Sequence, residues 1–176
     1  MSPDTAPAEE PSVTRRSTIA ASAGVGVFVA AIGYFLTYLL VASEVRESVG
    51  DTVPEWKVIA WFFYEAHMVD VEVSSQIGSF AGMSTLELIA QSDATLLYVV
   101  PPLVLLAAGG MLAVRWHVTD LDEGVVVGAP VAIGYAVVMG LGAVVTESTT
   151  EASALGIDAS SSIAPALLPA IVLGGV

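Results

Sequence analysis

The stretch that decides the architecture is Ile19–Ala42, IAASAGVGVFVAAIGYFLTYLLVA, 24 residues without a charge. A helix rises 1.5 Å per residue, so about 20 such residues cross a hydrocarbon core of about 30 Å. Soluble helices seldom run that far without a charged side chain. Working outward, the pattern recurs. Ala94–Val114 is 21 uncharged residues, Val125–Thr146 is 22 and Ala159–Val176 is 18. In hydrocarbon every backbone N–H and C=O must be satisfied within the segment, so each block is predicted to be helical. The expectation is an all-α integral membrane protein with four transmembrane helices, over about 19–42, 94–114, 125–146 and 159–176. The fourth is the shortest and carries Pro165 and Pro169. No polar tail follows it, so it either ends at the membrane surface or belongs to a longer chain.

Composition agrees with the blocks. The 176 residues are 55% hydrophobic and 13% charged, against about 25% charged in a soluble domain. Mean hydropathy is +0.80, which excludes a chain disordered throughout. Cysteine is absent, so disulfides, thiolate metal sites and thiol catalysis are excluded. Eighteen acidic residues face five basic ones, a net charge of −13. Such a surface repels phosphate backbones, and no nucleic-acid partner is expected. Thr14-Arg15-Arg16-Ser17 looks like a twin-arginine signal. The block that follows is longer than a signal core of 7–15 residues, and an anchor is the favoured reading. Residues 1–17, rich in Pro, Ser, Thr and Glu, read as a disordered acidic tail.

Basic residues favour the cytoplasmic side. Arg15, Arg16 and Arg115 fall on one side of the predicted spans, and Arg46 and Lys57 on the other. That places the N-terminus in the cytoplasm and an acidic loop, residues 43–93, outside. The loop is too long to lack structure. Thr52-Val53-Pro54-Glu55 has the form of a capping box, predicting a helix to about Met68. Its centre, Val58-Ile59-Ala60-Trp61-Phe62-Phe63-Tyr64, is apolar all round. Too short to span, it is predicted to sit in the headgroup zone or on the outer ends of the spans. Trp56, Trp61, Tyr64, Tyr98 and Trp116 are the expected membrane-interface residues, since indole and phenol rings favour that zone. Val69–Ser74 alternates as a strand does. Gln76–Met83 reads as a turn, and Ser84-Thr85-Leu86-Glu87 as a second capping box opening a helix over Leu86–Gln91.

Candidate chemistry is sparse. His67, Asp70 and Glu72, with Glu65 nearby, are metal-ligand types, but their spacing fits no ligand motif and a hydrated acidic surface is the better reading. His117, beside Arg115 and Trp116, has nothing specific to support pH sensing. The predicted spans hold no ionisable Asp, Glu, Lys, Arg or His; their polar groups include Ser22, Thr37, Thr95, Tyr34, Tyr38, Tyr98 and Tyr135. Ion-coupled transport normally needs such residues, so it is disfavoured. Pro101-Pro102 is the one candidate helix break. Gly24-Val25-Gly26 lies within a span and is no nucleotide fingerprint, and no hydrolase or zinc-protease motif is present. No catalytic residue, cofactor or metal site is assigned. Small residues at helical spacing, Ser22-Gly26-Ala30 and Ala132-Ala136-Gly140, are predicted to be helix-packing faces.

A single lysine, Lys57, and a pI near 4.1 suit an acidic surface in concentrated salt, where the Debye length is about 3 Å. The segment Trp56-Lys57 through Tyr64-Glu65-Ala66-His67 resembles small uncharacterised multi-pass membrane proteins of halophilic archaea. Leu96-Leu97-Tyr98-Val99-Val100-Pro101-Pro102 resembles the start of their next span. The resemblance covers about residues 15–145 and implies a multi-pass membrane protein without implying an activity. The resulting expectation is a non-enzymatic scaffold, accessory or envelope component. Its partners would be the lipid bilayer and a second copy or another membrane protein. The alternative is a subunit of an oligomeric transporter or channel.

Overall fold

The computed structural model describes residues 12–48, 53–77, 79–154 and 157–174. In chain order they form α1 (Ser12–Ser48), α2 (Glu55–Ala66), β1 (Val71–Ile77), β2 (Phe80–Leu86) and α3 (Leu88–Gln91). A 3₁₀ turn (Thr95–Val99) leads into α4 (Val100–Trp116), then α5 (Leu121–Thr146), β3 (Ser148–Ala154), β4 (Ile157–Pro165) and α6 (Leu167–Gly174). Three segments are long and apolar enough to cross a membrane: Ala20–Glu47, Thr95–Trp116 and Leu121–Thr146. Their outward side chains are large and apolar, with Phe28 66%, Leu106 76% and Val126 74% exposed. Such surface suits lipid and is unfavourable in water.

The fold corrects two expectations, four spans and an all-α chain. The uncharged block 159–176 is divided. Its first part, Ala159-Ser160-Ser161-Ser162-Ile163-Ala164-Pro165, lies in β4, and α6 follows with eight residues, about 12 Å and too short to cross. Absence of charge had stood in for apolarity there; three consecutive serines are uncharged yet not hydrophobic. The expected turn over Gln76–Met83 shrinks to the tip of a hairpin, because both flanks are strand. The four strands are antiparallel in the order β2-β1-β4-β3. Residues 1–11 of the expected tail lie outside the described residues, and the helix is already formed at Ser12.

Local signals explain the helix boundaries. Pro101 and Pro102 occupy the first turn of α4, where a missing N–H costs nothing; they start the helix and do not break it. Asp120 precedes α5, with Asp122 and Glu123 in its first turn, the acidic end that a helix dipole favours. Thr52 of the first expected capping box lies outside the described residues. Pro54 stands at the cap of α2 without a side-chain bond. Ser84, Thr85 and Leu86 of the second box belong to β2, so α3 starts only at Leu88.

The body is set by how α1 meets α5. A Cβ at Gly26 would run into the Val131 carbonyl, and a Cβ at Gly134 into the Ala23 carbonyl. The two backbones therefore touch at a crossing that only glycine permits. Further along, Gly33 of α1 meets the ring of Phe63, and Gly142 of α5 meets the hydroxyl of Tyr64. Both belong to α2, which fills the space between α1 and α5. Val58 through Ala66 are consequently buried without interruption, which explains why this segment has no polar face.

The crossing yields a test. Gly26→Ala and Gly134→Ala should each destabilise the protein by about 1–3 kcal/mol through overpacking. Gly24→Ala, with no neighbour within 4 Å, should not. Thermal unfolding of the purified protein in detergent reads the difference.

Candidate functional site

The buried helix α2, with its cap, carries four polar side chains into the interior, Trp61, Tyr64, Glu65 and His67. Its positions are pinned in sequence along α5. Lys57 Nζ donates to the Glu147 carbonyl, just past the end of α5. Trp61 Nε1 donates to the Thr146 carbonyl (3.2 Å), and Tyr64 Oη to the Met139 carbonyl (2.6 Å). A helix C-terminus leaves carbonyls without intrahelical partners and carries partial negative charge. The chain's lysine and an indole N–H are spent on that end. On the α1 side, Tyr34 Oη donates to the Trp56 carbonyl at 3.0 Å, and Arg46 Nε pairs with Glu55 at 2.9 Å.

His67 terminates α2 and is 8% exposed. Its Nδ1 lies 2.6 Å from the Phe63 carbonyl, and its Nε2 2.6 Å from Tyr135 Oη. A carbonyl can only accept, so Nδ1 carries the hydrogen. In the neutral ring Nε2 then accepts from the Tyr135 hydroxyl. Burial pushes the imidazole pKa below its ordinary value, partly opposed by the Phe63 carbonyl. The ring packs against Phe63 (centroids 4.4 Å), and Phe63 packs edge-on against Tyr34 (6.1 Å). Tyr34, Phe63, His67 and Tyr135 thus form one row from α1 across α2 to α5.

Glu65 faces elsewhere. Its carboxylate accepts from Leu88 N (2.7 Å) and Ile89 N (3.1 Å). It supplies from a distant segment the cap that the Ser84–Glu87 box was expected to supply locally. Burial raises the Glu65 pKa, and those two N–H groups oppose the rise. Burial likewise raises that of the Tyr64 hydroxyl.

The residues singled out in the sequence fall as follows. Trp61 and Tyr64 are enclosed within the protein, whereas Trp56 and Tyr98 are exposed and Trp116 is half-buried. Ser22, Gly26 and Ala30 are buried. Ala132, Ala136 and Gly140 are half-buried and line a groove shared with Leu167 and Ile171 of α6. A Cβ at Gly140 would meet the Ile171 side chain of α6, while the most deeply buried residues of α5 are Val131, Gly134, Tyr135, Met139 and Ala143, with Thr146 at its end. His67 and Glu65 diverge, Asp70 and Glu72 are exposed, and among the described residues no three metal-ligating side chains converge. Tyr135 was overlooked as the partner of His67. Its signal was a lone mid-helix tyrosine beside Gly134, a polar group that needs a partner when buried.

The whole chain, residues 1–176, matches one family model, and the protein belongs to that family, DUF7978, a family of unknown function. No curated protein and no solved structure matches it.

The His67 geometry predicts a pH dependence. The native ring is held neutral, whereas the unfolded chain takes up a proton near pH 6.5. The stabilisation is present above that pH and is lost as pH falls toward the lowered native pKa. A stability–pH profile should therefore slope downward below about 6.5, and His67→Gln should flatten that part of it. In a separate test, Glu65→Gln leaves one fewer acceptor for Leu88 and Ile89, and should cost about 1–2 kcal/mol in a denaturation experiment.

Proposed function

We propose that this protein is a non-enzymatic multi-pass protein of the cell membrane, acting as a scaffold, accessory or envelope component. Its helices hold the four-stranded sheet at one end of the bundle. The observation that carries this reading is where the polar groups go. The interior ones of α2 and its cap, Trp61, Tyr64, Glu65 and His67, are bonded to other parts of the same chain, and the half-buried Lys57 is bonded likewise. Strands β1 and β2 of the sheet, by contrast, leave most of their side chains open to the surroundings. A molecule of this kind spends its interior on rigidity and offers its surface to others. Its partners are the lipid bilayer and a second copy or another membrane protein.

The basic residues give the orientation. Arg115 and the tight connection to α5 lie at the end opposite the sheet. With Arg15 and Arg16 they favour a cytoplasmic N-terminus and an external sheet. The cysteine-free chain makes a direct test simple. Single cysteines at Ser75, Ser148 and Thr119 would be labelled in intact cells with an impermeant maleimide. Ser75→Cys and Ser148→Cys should react, and Thr119→Cys should not. The inverse pattern would put the sheet in the cytoplasm and end the envelope reading.

One observation favours a second reading, a subunit of an oligomeric transporter or channel. Sequence blocks alone place no ionisable side chain inside a span, yet α2 brings His67 against Tyr135, eleven residues before the end of α5. Saturable, pH-dependent solute flux in proteoliposomes, abolished by His67→Gln, would favour it over the scaffold; the scaffold reading predicts no flux.

A further inference from the structure

The register of the sheet sorts its residues onto two unlike faces. Side chains two apart on a strand share a face, and paired residues lie side by side. Val71, Val73 and Ile77 of β1 therefore share a face with Leu86 and Phe80 of β2 and Ile163 of β4. Glu72 lies on the other face. So does Glu151, through its pairing with Ser160 and the pairing of Ser160 with Gln76. The second face also holds Ser74 and Ser162, the latter donating to the Glu147 carboxylate at 3.1 Å. Among residues with described side chains, the sheet's two carboxylates thus share one face, and its large aliphatic and aromatic side chains, apart from Met83, share the other.

The apolar face is only half covered. Where the strands leave the helices, Val71 is fully buried, and Leu86 and Ile163 pack against the core. That end of the face is turned toward the helical body. At the far end, the same face exposes Ile77 at 57% and Phe80 at 81%. From Val73 to Leu86 the chain carries no charge, although the protein as a whole is strongly acidic. The same face thus continues beyond the helices that cover its near half, through the small residues Ser75, Gly82 and Ser161, to an apolar tip at Ile77 and Phe80. The bundle's own flanks are clad in exposed Leu, Val and Phe, surface that a bilayer would surround.

We propose that the far half of this sheet rests on the membrane surface, with Ile77 and Phe80 in the boundary between headgroups and acyl chains. Glu72 and Glu151 then face water. Two features favour lipid over a protein partner. The exposed apolar side chains continue a face already turned toward the bundle, and the charges are segregated to the opposite face, as on an interfacial amphipathic element. The sheet becomes an outrigger that fixes the tilt of the bundle.

The experiment uses the full-length protein in phosphatidylcholine vesicles. Single-cysteine variants Phe80→Cys, Ile77→Cys and Gln76→Cys carry a polarity-sensitive fluorophore. Emission at 80 and 77 should be blue-shifted and quenched by brominated acyl chains, while emission at 76 should be quenched by aqueous iodide. Two outcomes would overturn the proposal. In one, 80 and 77 are as iodide-accessible as 76. In the other, they are protected without acyl-chain quenching and cross-link between copies, so that a second protein covers this face. Agreement of two independent positions guards against a local effect of replacing Phe80.

Discussion

The arrangement depends on the insertion of one short aromatic helix between two long ones. Where α1 and α5 cross at Gly26 and Gly134 their backbones leave no room for anything else. Beyond the crossing the two helices are held apart by α2, whose rings meet glycine on both sides, Phe63 at Gly33 and Tyr64 at Gly142. Glycine thus serves two purposes in one interface, close approach below and clearance for rings above. Between apolar helices in lipid there is little hydrophobic driving force, so packing and hydrogen bonds must supply the specificity. The row from Lys57 to His67 supplies it, each side chain meeting α5 at its own level.

That position also explains the polar inventory. A buried helix with Trp, Tyr, Glu and His needs a partner for each polar atom. Here the partners are main-chain groups of other segments and of Phe63 within α2, plus one tyrosine hydroxyl. Glu65 links α2 to the start of α3, and His67 links it to α5. The sheet begins immediately afterward, at Val71, whose burial anchors the near edge of its apolar face. The bundle and the sheet are therefore joined through the same short segment, and disturbance of α2 would be felt in both.

Much of this was legible in the residues, and the failures have identifiable causes. Long uncharged blocks located the three helices that are long and apolar enough to cross a membrane, because helix length against bilayer thickness is a strong constraint. The fourth block misled because Ser160, Ser161 and Ser162 carry neither charge nor apolar surface; their pairing with β1 is a long-range contact that local reading does not see. Val69–Ser74 announced a strand, yet its partners Phe80–Leu86 and Ile157–Pro165 lacked clear alternation. The all-round apolar character of Val58–Tyr64 was visible, and it excluded a simple amphipathic helix. What it could not show was that α1 and α5 leave a space of the right size. The stripe Ala132-Ala136-Gly140 faces α6, where Gly140 meets Ile171, whereas the crossing with α1 lies on another face of α5, at Val131, Gly134 and Tyr135.

The most direct measurement is a cysteine scan of α2, one position at a time from Val58 to Phe63, in native membranes. Each thiol would be challenged with an aqueous maleimide and with a lipid-soluble one. An inserted helix predicts that all six consecutive positions resist both reagents, while Trp56→Cys reacts. A helix lying at the membrane surface would instead show reactive positions recurring every three or four residues, and that periodicity would contradict the account.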